Sequence, residues 1–449
     1  MTGQVVVVGG GLAGLAAAVR LAGNGCRVTV LEGRSRLGGA THSFRRGGLD
    51  VDNGQHVFLR CYTAYRDFLA RISASPLVKL QDRFEIPVVV AGRHARLRRS
   101  RWLPAPLHLT TSMAGYPGLT PRERLRAGVA LARLRRLSQH DPELDDTSFG
   151  SWLRAHGQSA GAIESLWDLL VVAALNARCD DASLLSATQV FQRALLTTAG
   201  AADIGLPLVP LDRLHAEPAR HTLSGLGAKV HLRARVQGIR WHEGSWRVHL
   251  REGVLPADAV VVAVPHDQAL RVLPEGALAQ PDAVARLGHT PIINAHFVLD
   301  RVVGAPTFVA AVGSPLQWVF DRTAIAGAGD DRQYLAASLS AAESVVDLDT
   351  ATLRATLVPA LHALFPASRT AGLLDFFVTR ERRATFCQRP GSRQGRAATV
   401  TGRPGLLLAG AWTDTGWPDT MEGAVRSGYE AAEAALRVLA ARVDAAVVR

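Results

Sequence analysis

Three glycines near the start of the chain, Gly9, Gly11 and Gly14, have the spacing of a phosphate-binding turn. Gly9 permits a tight turn, Gly11 lets the backbone approach a pyrophosphate, and Gly14 allows a helix to pack closely on a strand. The N–H groups at the start of that helix would face the phosphates, which adds Leu12 and Ala13 to the predicted site. The chemistry predicted here is the binding of a dinucleotide.

The pattern around this turn predicts the elements that must position it. The β-branched run Val5–Val8 predicts a buried strand, and the Ala- and Leu-rich run Leu12–Leu21 predicts a helix. The next apolar strand, Arg27–Leu31, ends at Glu32, whose carboxylate would accept two hydrogen bonds from a ribose diol. Glycines alone would also fit an ordinary turn, but this order of elements favours a dinucleotide site.

The length and composition place the chain among globular proteins. Its 449 residues are enough for two or three domains with a large core. No charged and apolar leader precedes the first strand and no apolar run is long enough to span a bilayer, so we expect neither a secretory signal nor a transmembrane helix. The four cysteines are scattered without metal spacing, which predicts reduced thiols, no metal site and a cytoplasmic location. They are Cys26, Cys61, Cys179 and Cys387.

The chain is strongly basic, with a net charge of +12, and its basic residues are almost all arginines. A compositional preference for arginine explains this most simply, and attraction to an anionic membrane surface is the functional alternative. We find no nucleic-acid-binding motif and expect no nucleic-acid partner.

One arginine-rich segment is predicted to be a helix. Thr120–Glu123 is a capping box with proline at the first helical position, and the helix should reach about Leu137. It is either a solvated surface helix or an interfacial helix that docks on anionic lipid. Four of its apolar residues are predicted to fall near one face: Leu125, Val129, Ala132 and Leu134.

A second loop rich in arginine and glycine follows Glu32 and suits a polyanionic cofactor. Its residues are Gly33, Arg34, Arg36, Gly38 and Gly39. This stretch resembles the second FAD signature of the flavin amine oxidase and carotenoid desaturase superfamily, with Ala40 where arginine is usual. The resemblance implies FAD as cofactor, bound by an α/β Rossmann-like domain of the amine oxidase type, together with a discontinuous α+β substrate domain.

The resemblance also implies how the chain is divided. Residues 1–80, 205–265 and 396–449 would form the FAD-binding domain, and residues 81–204 and 266–395 the substrate-binding domain. Residues 103–200 read largely as helices and would be the part that faces a membrane. Val236 would contact the adenine side of the cofactor through its backbone.

The segment Asp52–His56 is either a polar turn or, as in the amine oxidases, a stretch that passes near the flavin ring. With both FAD signatures present we favour the second interpretation. Gly54 and Gln55 would then contact the cofactor. Asp52 and His56 are the predicted proton donors, because they are titratable groups near the ring.

The last part of the chain predicts a second contact with the flavin. The strand 405–410 ends at Gly410, which would contact the cofactor, and Ala411 follows where the superfamily usually has aspartate. A helix then begins near Met421 and runs to about Arg442. The N–H groups of this second helix N-terminus would point at the flavin pyrimidine or ribityl chain. They belong to Met421, Glu422 and Ala424.

Several segments resemble the squalene-associated FAD-dependent desaturases, the hydroxysqualene dehydroxylases of hopanoid biosynthesis. The matching pieces are 52–56, 166–176, 290–292, 317–320, 384–386 and 412–423. The resemblance implies reductive removal of the hydroxyl of hydroxysqualene to give squalene. Such a site must supply an acid and exclude water, and Asp414 is the alternative acid.

Aromatic residues are the predicted substrate contacts. Trp318 and Phe320 lie on a predicted strand and would line an apolar slot, although ordinary sheet core is an equally good interpretation. Trp412 and Trp417 would join Trp318 in stabilising an allylic cation through their π faces.

Other classes of function stay open. A carotenoid desaturase would use the same fold oxidatively, an amine or protoporphyrinogen oxidase would take a smaller substrate, and a protein with a relic flavin site would only bind partners. The expected partners are a long-chain isoprenoid substrate, an unidentified electron donor, because no second nucleotide fingerprint occurs, and an anionic membrane surface. The expected location is therefore the cytoplasm, peripherally on the cytoplasmic membrane face.

Overall fold

The computed structural model of the chain describes residues 3–447, with side chains up to residue 442. The ends of the predicted domain ranges, residues 1–2 and 448–449, lie outside the described residues. The strands are, in chain order, β1 Gln4–Val8, β2 Arg27–Leu31, β3 Ser43–Arg46, β4 Leu49–Asp52, β5 Phe58–Leu59, β6 Val78–Leu80, β7 Glu85–Val90, β8 Arg93–Arg98, β9 Ile204–Pro207, β10 Lys229–His231, β11 Val236–His242, β12 Ser245–Leu250, β13 Gly253–Ala257, β14 Ala259–Val262, β15 Thr290–Leu299, β16 Phe308–Val312, β17 Gln317–Asp321, β18 Gln333–Leu339, β19 Leu373–Thr385 and β20 Leu406–Leu408.

The α-helices are α1 Leu12–Gly23, α2 Thr63–Arg71, α3 Thr110–Ala114, α4 Pro121–Leu134, α5 Glu143–Asp146, α6 Phe149–Ala155, α7 Ala160–Ala162, α8 Asp168–Leu175, α9 Leu184–Phe191, α10 Glu217–Gly225, α11 His266–Val272, α12 Pro281–Ala285, α13 Thr323–Ala326, α14 Thr350–Leu364 and α15 Met421–Val447. A π turn, Ile163–Trp167, joins α7 to α8 in one continuous helix. No helix in residues 3–447 is long and apolar enough to cross a membrane.

A five-stranded sheet with the order β10-β2-β1-β14-β20 forms the centre of the predicted cofactor domain, and all its neighbouring strands are parallel. Strands β1 and β14 are buried on both faces, as runs of consecutive valines predict. Helices α1 and α15 pack on one face, and the antiparallel strands β11, β12 and β13 cover the other. The predicted Rossmann-like fold is confirmed, and β2 has the predicted bounds.

A mixed seven-stranded sheet with the order β19-β15-β18-β17-β16-β7-β8 forms the second layer. Strands β7 and β8 are antiparallel and lie at one edge of this sheet. Apolar residues of α14 cover one face, whereas the helices between residues 110 and 196 cover the other. The sheet therefore separates two apolar cores.

The helical layer is held by buried aromatic rings. Trp167 and Phe191 both lie against Phe149, with ring centroids 5.7 and 5.6 Å from the Phe149 ring. The Trp167 indole N–H donates to Gln158 Oε1 at 3.0 Å, so burial leaves no unpaired donor on this ring.

Helix α4 begins at the predicted capping box, in which Thr120 and Glu123 exchange hydrogen bonds. The helix ends at Leu134, slightly before the predicted end at Leu137. The prediction that Leu134 shares a face with Leu125 and Val129 is wrong, because Leu134 is buried and the other two are exposed. At about 100° per residue, Leu134 lies on the opposite side of the helix from Leu125.

The two layers meet along the β3–β4 hairpin. Leu49 and Val51 of β4 pack against Val298, Tyr334 and Phe377 of the seven-stranded sheet. This contact holds the segment that follows β4 between the two sheets.

Part of the stretch predicted for the substrate domain packs elsewhere. Ala269, Val284 and Leu287 pack with strands of the five-stranded sheet. The predicted domain boundaries stay a prediction.

Candidate cofactor and active site

The two glycine-rich loops lie backbone against backbone. The N–H of Gly38 donates to the carbonyl of Gly10 at 2.8 Å, and Gly11 pairs with Gly38 as a parallel bridge. A Cβ on Gly39 would lie 2.8 Å from the Gly11 Cα. Because this contact is with backbone, glycine is needed at residue 39, and the second loop completes a cradle around the first.

The first turn has the conformation that its glycines predict. Gly9 has a φ of +109°, and a Cβ on Gly14 would lie 1.9 Å from the Gly9 carbonyl oxygen. The N–H groups of Leu12, Ala13 and Gly14 have no acceptor in the described part of the chain. Three free N–H groups at a helix N-terminus form an anion site, which fits the predicted pyrophosphate.

Glu32 lies beside this turn with its carboxylate oriented by the backbone. One oxygen accepts from the N–H of Gly10 and the other from the N–H of Arg34, each at 2.7 Å. Each oxygen keeps a second lone pair, so the carboxylate can still accept from a ribose diol. The N–H of Ala234 donates to the Glu32 carbonyl at 2.8 Å, which brings Val236, at the start of β11, to the same edge of the sheet. Gly33 lies between these contacts, near Arg235.

Buried polar atoms without partners mark where further polar groups of a ligand fit. Four such side-chain atoms belong to the second loop, to the segment after β4 and to the strand facing it. They are Arg36 Nη1, His42 Nδ1, Gln55 Oε1 and Asn294 Oδ1. Because buried polar groups normally have a hydrogen-bond partner, these atoms fit the polar groups of a bound FAD.

At the second helix N-terminus the free N–H groups are fewer than predicted. Gly423 N–H donates to Thr420 Oγ1 at 3.1 Å, and Ala424 N–H donates to the Thr420 carbonyl at 2.9 Å. The N–H of Ala424 is therefore already bonded within the protein, which corrects its predicted role. The N–H groups of Met421 and Glu422 have no acceptor among the described residues and stay predicted flavin contacts.

The side chain of Glu422 binds the protein itself. It is fully buried and accepts from the N–H groups of Ala64 and Tyr65 in the first turn of α2, at 3.1 and 2.8 Å. Arg426 also donates to it at 2.7 Å. A carboxylate at a helix N-terminus is stabilised by the helix dipole, so Glu422 fixes α2 against α15.

An arginine lies beside Ala411, the position at which the superfamily usually has aspartate. Arg396 donates to the carbonyls of Ala411, Thr413 and Trp417 at 3.2, 2.6 and 2.6 Å. The Gly410 N–H is taken by Ser427 Oγ at 2.7 Å. The sequence pattern missed Arg396, whose role depends on contacts with a loop that lies further along the chain.

Asp52 is a structural anchor in this geometry. It accepts from Ser43 Oγ at 2.6 Å and from the N–H of Leu211 at 3.0 Å, and it forms a buried ion pair with Arg322. Burial raises the pKa of Asp52, and the Arg322 guanidinium opposes that rise. The ion pair joins β4 to the end of β17, and the carboxylate is fully engaged.

Asn53 connects the second glycine loop to the seven-stranded sheet. Its side chain donates to the Ala40 carbonyl at 2.8 Å and accepts from the His42 N–H at 3.1 Å. Its own carbonyl accepts from Asn294 Nδ2 at 3.0 Å. Since the contact at residue 40 uses the backbone, alanine at this position keeps it.

His56 is half-buried, and its ring makes no hydrogen bond with the described residues. Burial, with a contribution from the nearby Arg322, lowers the pKa of His56 to about 4. The imidazole is therefore neutral near pH 7 and is a poor proton donor there. Gly54 lies against this ring, since a Cβ on Gly54 would be 3.3 Å from His56 Nε2.

Asp419 is a titratable residue that the sequence patterns did not reveal. Its Oδ2 accepts from the N–H of Phe386 at 2.9 Å, and its own N–H donates to Gln388 Oε1 at 2.9 Å. Burial raises the pKa of Asp419 to about 6, although the Phe386 N–H and Arg396 oppose it. Its Oδ1 accepts no hydrogen bond from the described residues. The one signal available was its place inside the family-like segment 412–423.

The predicted substrate aromatics occupy two different cores. Trp318 and Phe320 of β17 pack between the sheet and the helical layer, with ring centroids 6.3 and 6.0 Å from that of Phe308. Trp412 is buried in the cofactor-domain core, where its N–H donates to the Val264 carbonyl at 2.9 Å. The structure therefore does not bring Trp412 together with Trp318.

Trp417 and Asp414 lie closer to the surface. Guanidinium groups of Arg193 and Arg426 lie over the Trp417 ring, 4.6 and 5.0 Å from its centroid, and Tyr62 meets it edge-on. Asp414 is exposed, and its carboxylate accepts from the Gly416 N–H at 3.3 Å. The Trp417 ring therefore already contacts two cations of the protein itself.

The chain is similar to named enzymes over nearly its whole length. A hydroxysqualene dehydroxylase from Rhodopseudomonas palustris is 30% identical over 461 residues, covering 97% of this chain and 99% of that protein. A zeta-carotene desaturase from Synechocystis sp. is 26% identical over 475 residues, covering 96% and 97%.

A solved structure shows the fold, and a family model shows the family. Cyclohexylamine oxidase from Brevibacterium oxydans superposes with a TM-score of 0.72 at 18% identity, over 98% of this chain and 100% of that one, and so has the same fold. The model described as flavin containing amine oxidoreductase matches residues 12–436. The chain thus belongs to the flavin-containing amine oxidoreductase family and is an FAD-dependent oxidoreductase.

Proposed function

We propose that this protein removes the hydroxyl of hydroxysqualene reductively, giving squalene. The observation that carries the proposal is the similarity to a hydroxysqualene dehydroxylase over the whole of both chains. The carboxyl of Asp419, whose pKa lies near the physiological range, supports it, because loss of a hydroxyl as water requires an acid.

The overall reaction replaces the C–O bond of an allylic alcohol with a C–H bond and releases water. FAD bound in its reduced form would supply the two electrons of this reaction, as hydride. What the chain itself must supply is a proton at the hydroxyl oxygen, a fixed orientation of that hydroxyl and a site without bulk water.

We assign the proton donor to Asp419. A carboxyl with a pKa of about 6 is partly protonated near neutral pH, and Oδ1 is the oxygen left without a protein partner among the described residues. Loss of water takes the proton from this oxygen, and solvent restores it between turnovers. Asp419 lies just before the helix N-terminus at which Met421 and Glu422 keep free N–H groups.

The predicted acids take other roles in this proposal. His56 is neutral near pH 7, so it accepts or donates a hydrogen bond to the substrate hydroxyl and orients it. Asp52 holds the segment in place through Arg322 and acts as a positioning residue. Asp414 stays the alternative acid, and its exposure argues for a smaller contribution.

The apolar chain of the substrate would lie along β17. Trp318 is only half-buried and faces the same core as Phe320 and the helical layer, so the two rings are our proposed substrate contacts. Surrounding apolar residues would keep water from the reacting carbon. Trp412 and Trp417 contact the protein itself, and we assign them to support of the cofactor segment.

A long-chain isoprenoid substrate also implies where the protein works. Such a hydrocarbon is stored in membranes, so we propose that the protein acts peripherally at the cytoplasmic membrane face. An electron donor must reduce the flavin between turnovers, and we propose a separate donor because the sequence holds one nucleotide fingerprint.

A second function has specific support. The full-length similarity to a zeta-carotene desaturase favours oxidation of a longer polyene on the same fold. In that direction the flavin would gain electrons from the substrate, and no hydroxyl would leave.

An anaerobic single-turnover experiment distinguishes the dehydroxylase from the desaturase. Protein with photoreduced flavin is mixed with hydroxysqualene, flavin absorbance is followed, and products are identified by mass spectrometry. We expect one squalene for each flavin oxidised, and no squalene from protein that was not reduced. If the flavin stays reduced with hydroxysqualene, while oxidised protein bleaches with zeta-carotene, the desaturase is the correct assignment.

A further inference from the structure

The positive charge of the chain is concentrated in one segment. Residues 93–136 contain eleven arginines and one acidic residue, a net charge of +10. The rest of the chain holds 40 basic and 38 acidic residues, which leaves +2 of the total of +12. A general preference for arginine would spread the charge over the chain, so this concentration needs a local cause.

Most of these arginines have no carboxylate partner. Arg96 and Arg98 pair with Glu85, and Arg99 pairs with Asp203. Among the described residues, eight others have no carboxylate within 4.0 Å: Arg93, Arg101, Arg122, Arg124, Arg126, Arg133, Arg135 and Arg136. Their charge is available to an external anion.

The same segment exposes large apolar side chains to solvent. Trp102 is 90% exposed and Leu107 is 53% exposed, both in the connection between β8 and α3. Leu125 is 72% exposed and Val129 is 45% exposed on α4. Such exposure is unfavourable in water and points to burial against another phase or molecule.

Helix α4 carries two opposite apolar sides. Ala127, Ala130 and Leu134 are buried in the helical layer, whereas Leu125 and Val129, one turn apart, point outward. With a rotation of about 100° per residue, exposed arginines flank this pair on the outer side of the helix and just after its end. They include Arg122, Arg133, Arg135 and Arg136, all exposed.

We propose that Trp102, Leu107, Leu125, Val129 and the surrounding arginines form a docking surface for an anionic lipid bilayer. We call it the arginine-leucine surface. Tryptophan and leucine suit the boundary between headgroups and acyl chains, and arginine binds lipid phosphates. A nucleic acid would match the charge and leave the apolar side chains against phosphates, so the lipid occupant fits both features.

The position of this surface fits the supply of an isoprenoid substrate. The buried side of α4 belongs to the same apolar core as Phe320, one of the proposed substrate contacts. Docking would therefore set the helical layer against the bilayer that holds the substrate. This assignment rests on the proposed function and deepens it, and lipid binding is measured without any turnover.

The test uses FAD-loaded protein and vesicle flotation. Vesicles of phosphatidylcholine alone are compared with vesicles that contain one third phosphatidylglycerol, at low and high salt. We expect at least ten-fold more protein on the anionic vesicles at low salt, and a large loss of binding at high salt. Equal binding to both vesicle types in the wild-type protein would overturn the proposal without any variant.

Variants locate the surface. Arg122→Glu, Arg133→Glu and Arg136→Glu together should reduce anionic-vesicle binding at least ten-fold. The matched control reverses three exposed arginines elsewhere that lack carboxylate partners in the described chain, Arg220, Arg251 and Arg271, with the same change in net charge. If both triple variants lose binding equally, total charge is the cause and the surface is wrongly assigned.

The apolar part has its own test. Trp102→Ser, Leu125→Ser and Val129→Ser together should weaken vesicle binding several-fold, whereas serine at the exposed Val254, Val302 and Leu374 should not. FAD content and Tm of each variant report folding. Unchanged vesicle binding in the apolar variant, together with tight arginine-dependent binding of a duplex oligonucleotide, would identify nucleic acid instead. Activity on detergent-dispersed hydroxysqualene should persist in all variants, so failure here and failure of the proposed reaction are distinguishable.

Discussion

The glycine cradle and the Asp52–His56 segment hold the same cofactor region by different means. In the cradle, backbone meets backbone, and the partners Gly10, Gly11 and Gly38 lie close to one another in the sequence. The segment is held by side chains, and its partners Arg322 and Asn294 are 270 and 241 residues away. Binding of the cofactor is thus encoded locally, whereas the chemistry depends on contacts between distant parts of the chain.

Breaking the cradle should have the largest effect. In Gly14→Val the new Cβ would meet the Gly9 carbonyl oxygen at 1.9 Å, and backbone cannot move aside as a side chain can. We expect bound FAD to fall at least ten-fold, measured as flavin absorbance per protein. Gly23→Ala in the same helix is the control, because a Cβ there meets nothing within 4 Å. Normal FAD content in Gly14→Val would contradict the backbone-contact explanation.

Breaking the ion pair between Asp52 and Arg322 should lower the stability of the protein, with a smaller loss of bound FAD than in Gly14→Val. Asp52→Asn leaves Arg322 buried without its counter-charge, and we expect the free energy of unfolding to fall by about 3–5 kcal/mol. Urea denaturation measures this. Arg382→Met removes an exposed ion pair with Asp347 and should cost less than about 1 kcal/mol. Equal effects would mean that the Asp52 pair is not a buried anchor.

Asp419→Asn should slow the reaction about 10²–10⁴-fold, the range for loss of a general acid. Because the protonated form donates, wild-type kcat should fall as pH rises through about 6, and the variant should lose this dependence. Single-turnover rates between pH 5 and 8 check both points. Asp181→Asn, at an exposed carboxylate, should behave as wild type. A variant that keeps the wild-type pH profile would exclude Asp419 as the acid.

The same residue should affect stability with a defined sign. Its folded pKa, about 6, lies above the ordinary value of 3.8, so the stabilisation is complete below about pH 4 and is lost as pH rises through 6. We expect wild type to lose up to about 3 kcal/mol more than Asp419→Asn between pH 4 and 7. Urea denaturation at both pH values measures the difference, and parallel curves would contradict it.

His56→Gln should have the smallest effect, about ten-fold on kcat. Glutamine keeps a hydrogen-bonding group, and a neutral imidazole contributes orientation and not a proton. The pH dependence of kcat should be unchanged. If it disappears in His56→Gln and persists in Asp419→Asn, the roles of the two residues are exchanged.

Prediction from sequence succeeded where contacts are local. The strand Arg27–Leu31 and the capping box at Thr120 agree with the structure because alternation and spacing within a short stretch of chain determine them. Fold, family and cofactor followed from the same short-range signals.

Prediction from sequence failed where the burial of a side chain, or the side of a helix on which it lies, decides its role. Burial raises the pKa of Asp419 to about 6 against the opposing Phe386 N–H, and no residue spacing reveals that burial. Leu134 was placed on the wrong side of α4 because apolar residues occur on both sides of that helix. The interpretation of Asp52 as an acid missed its ion pair with Arg322, because Arg322 follows a strand that is distant in the sequence.

The order of strands in the five-stranded sheet has a consequence for how the protein folds while it is being translated. β1 pairs with β14, and β14 pairs with β20, so the N-terminal unit lacks its neighbours until more than half the chain has been made. Glu422, near the start of α15, then joins α2 to the last helix. We therefore expect FAD to enter only after α15 has been made, so nascent chains that end before α15 should not retain the cofactor and should depend on chaperones.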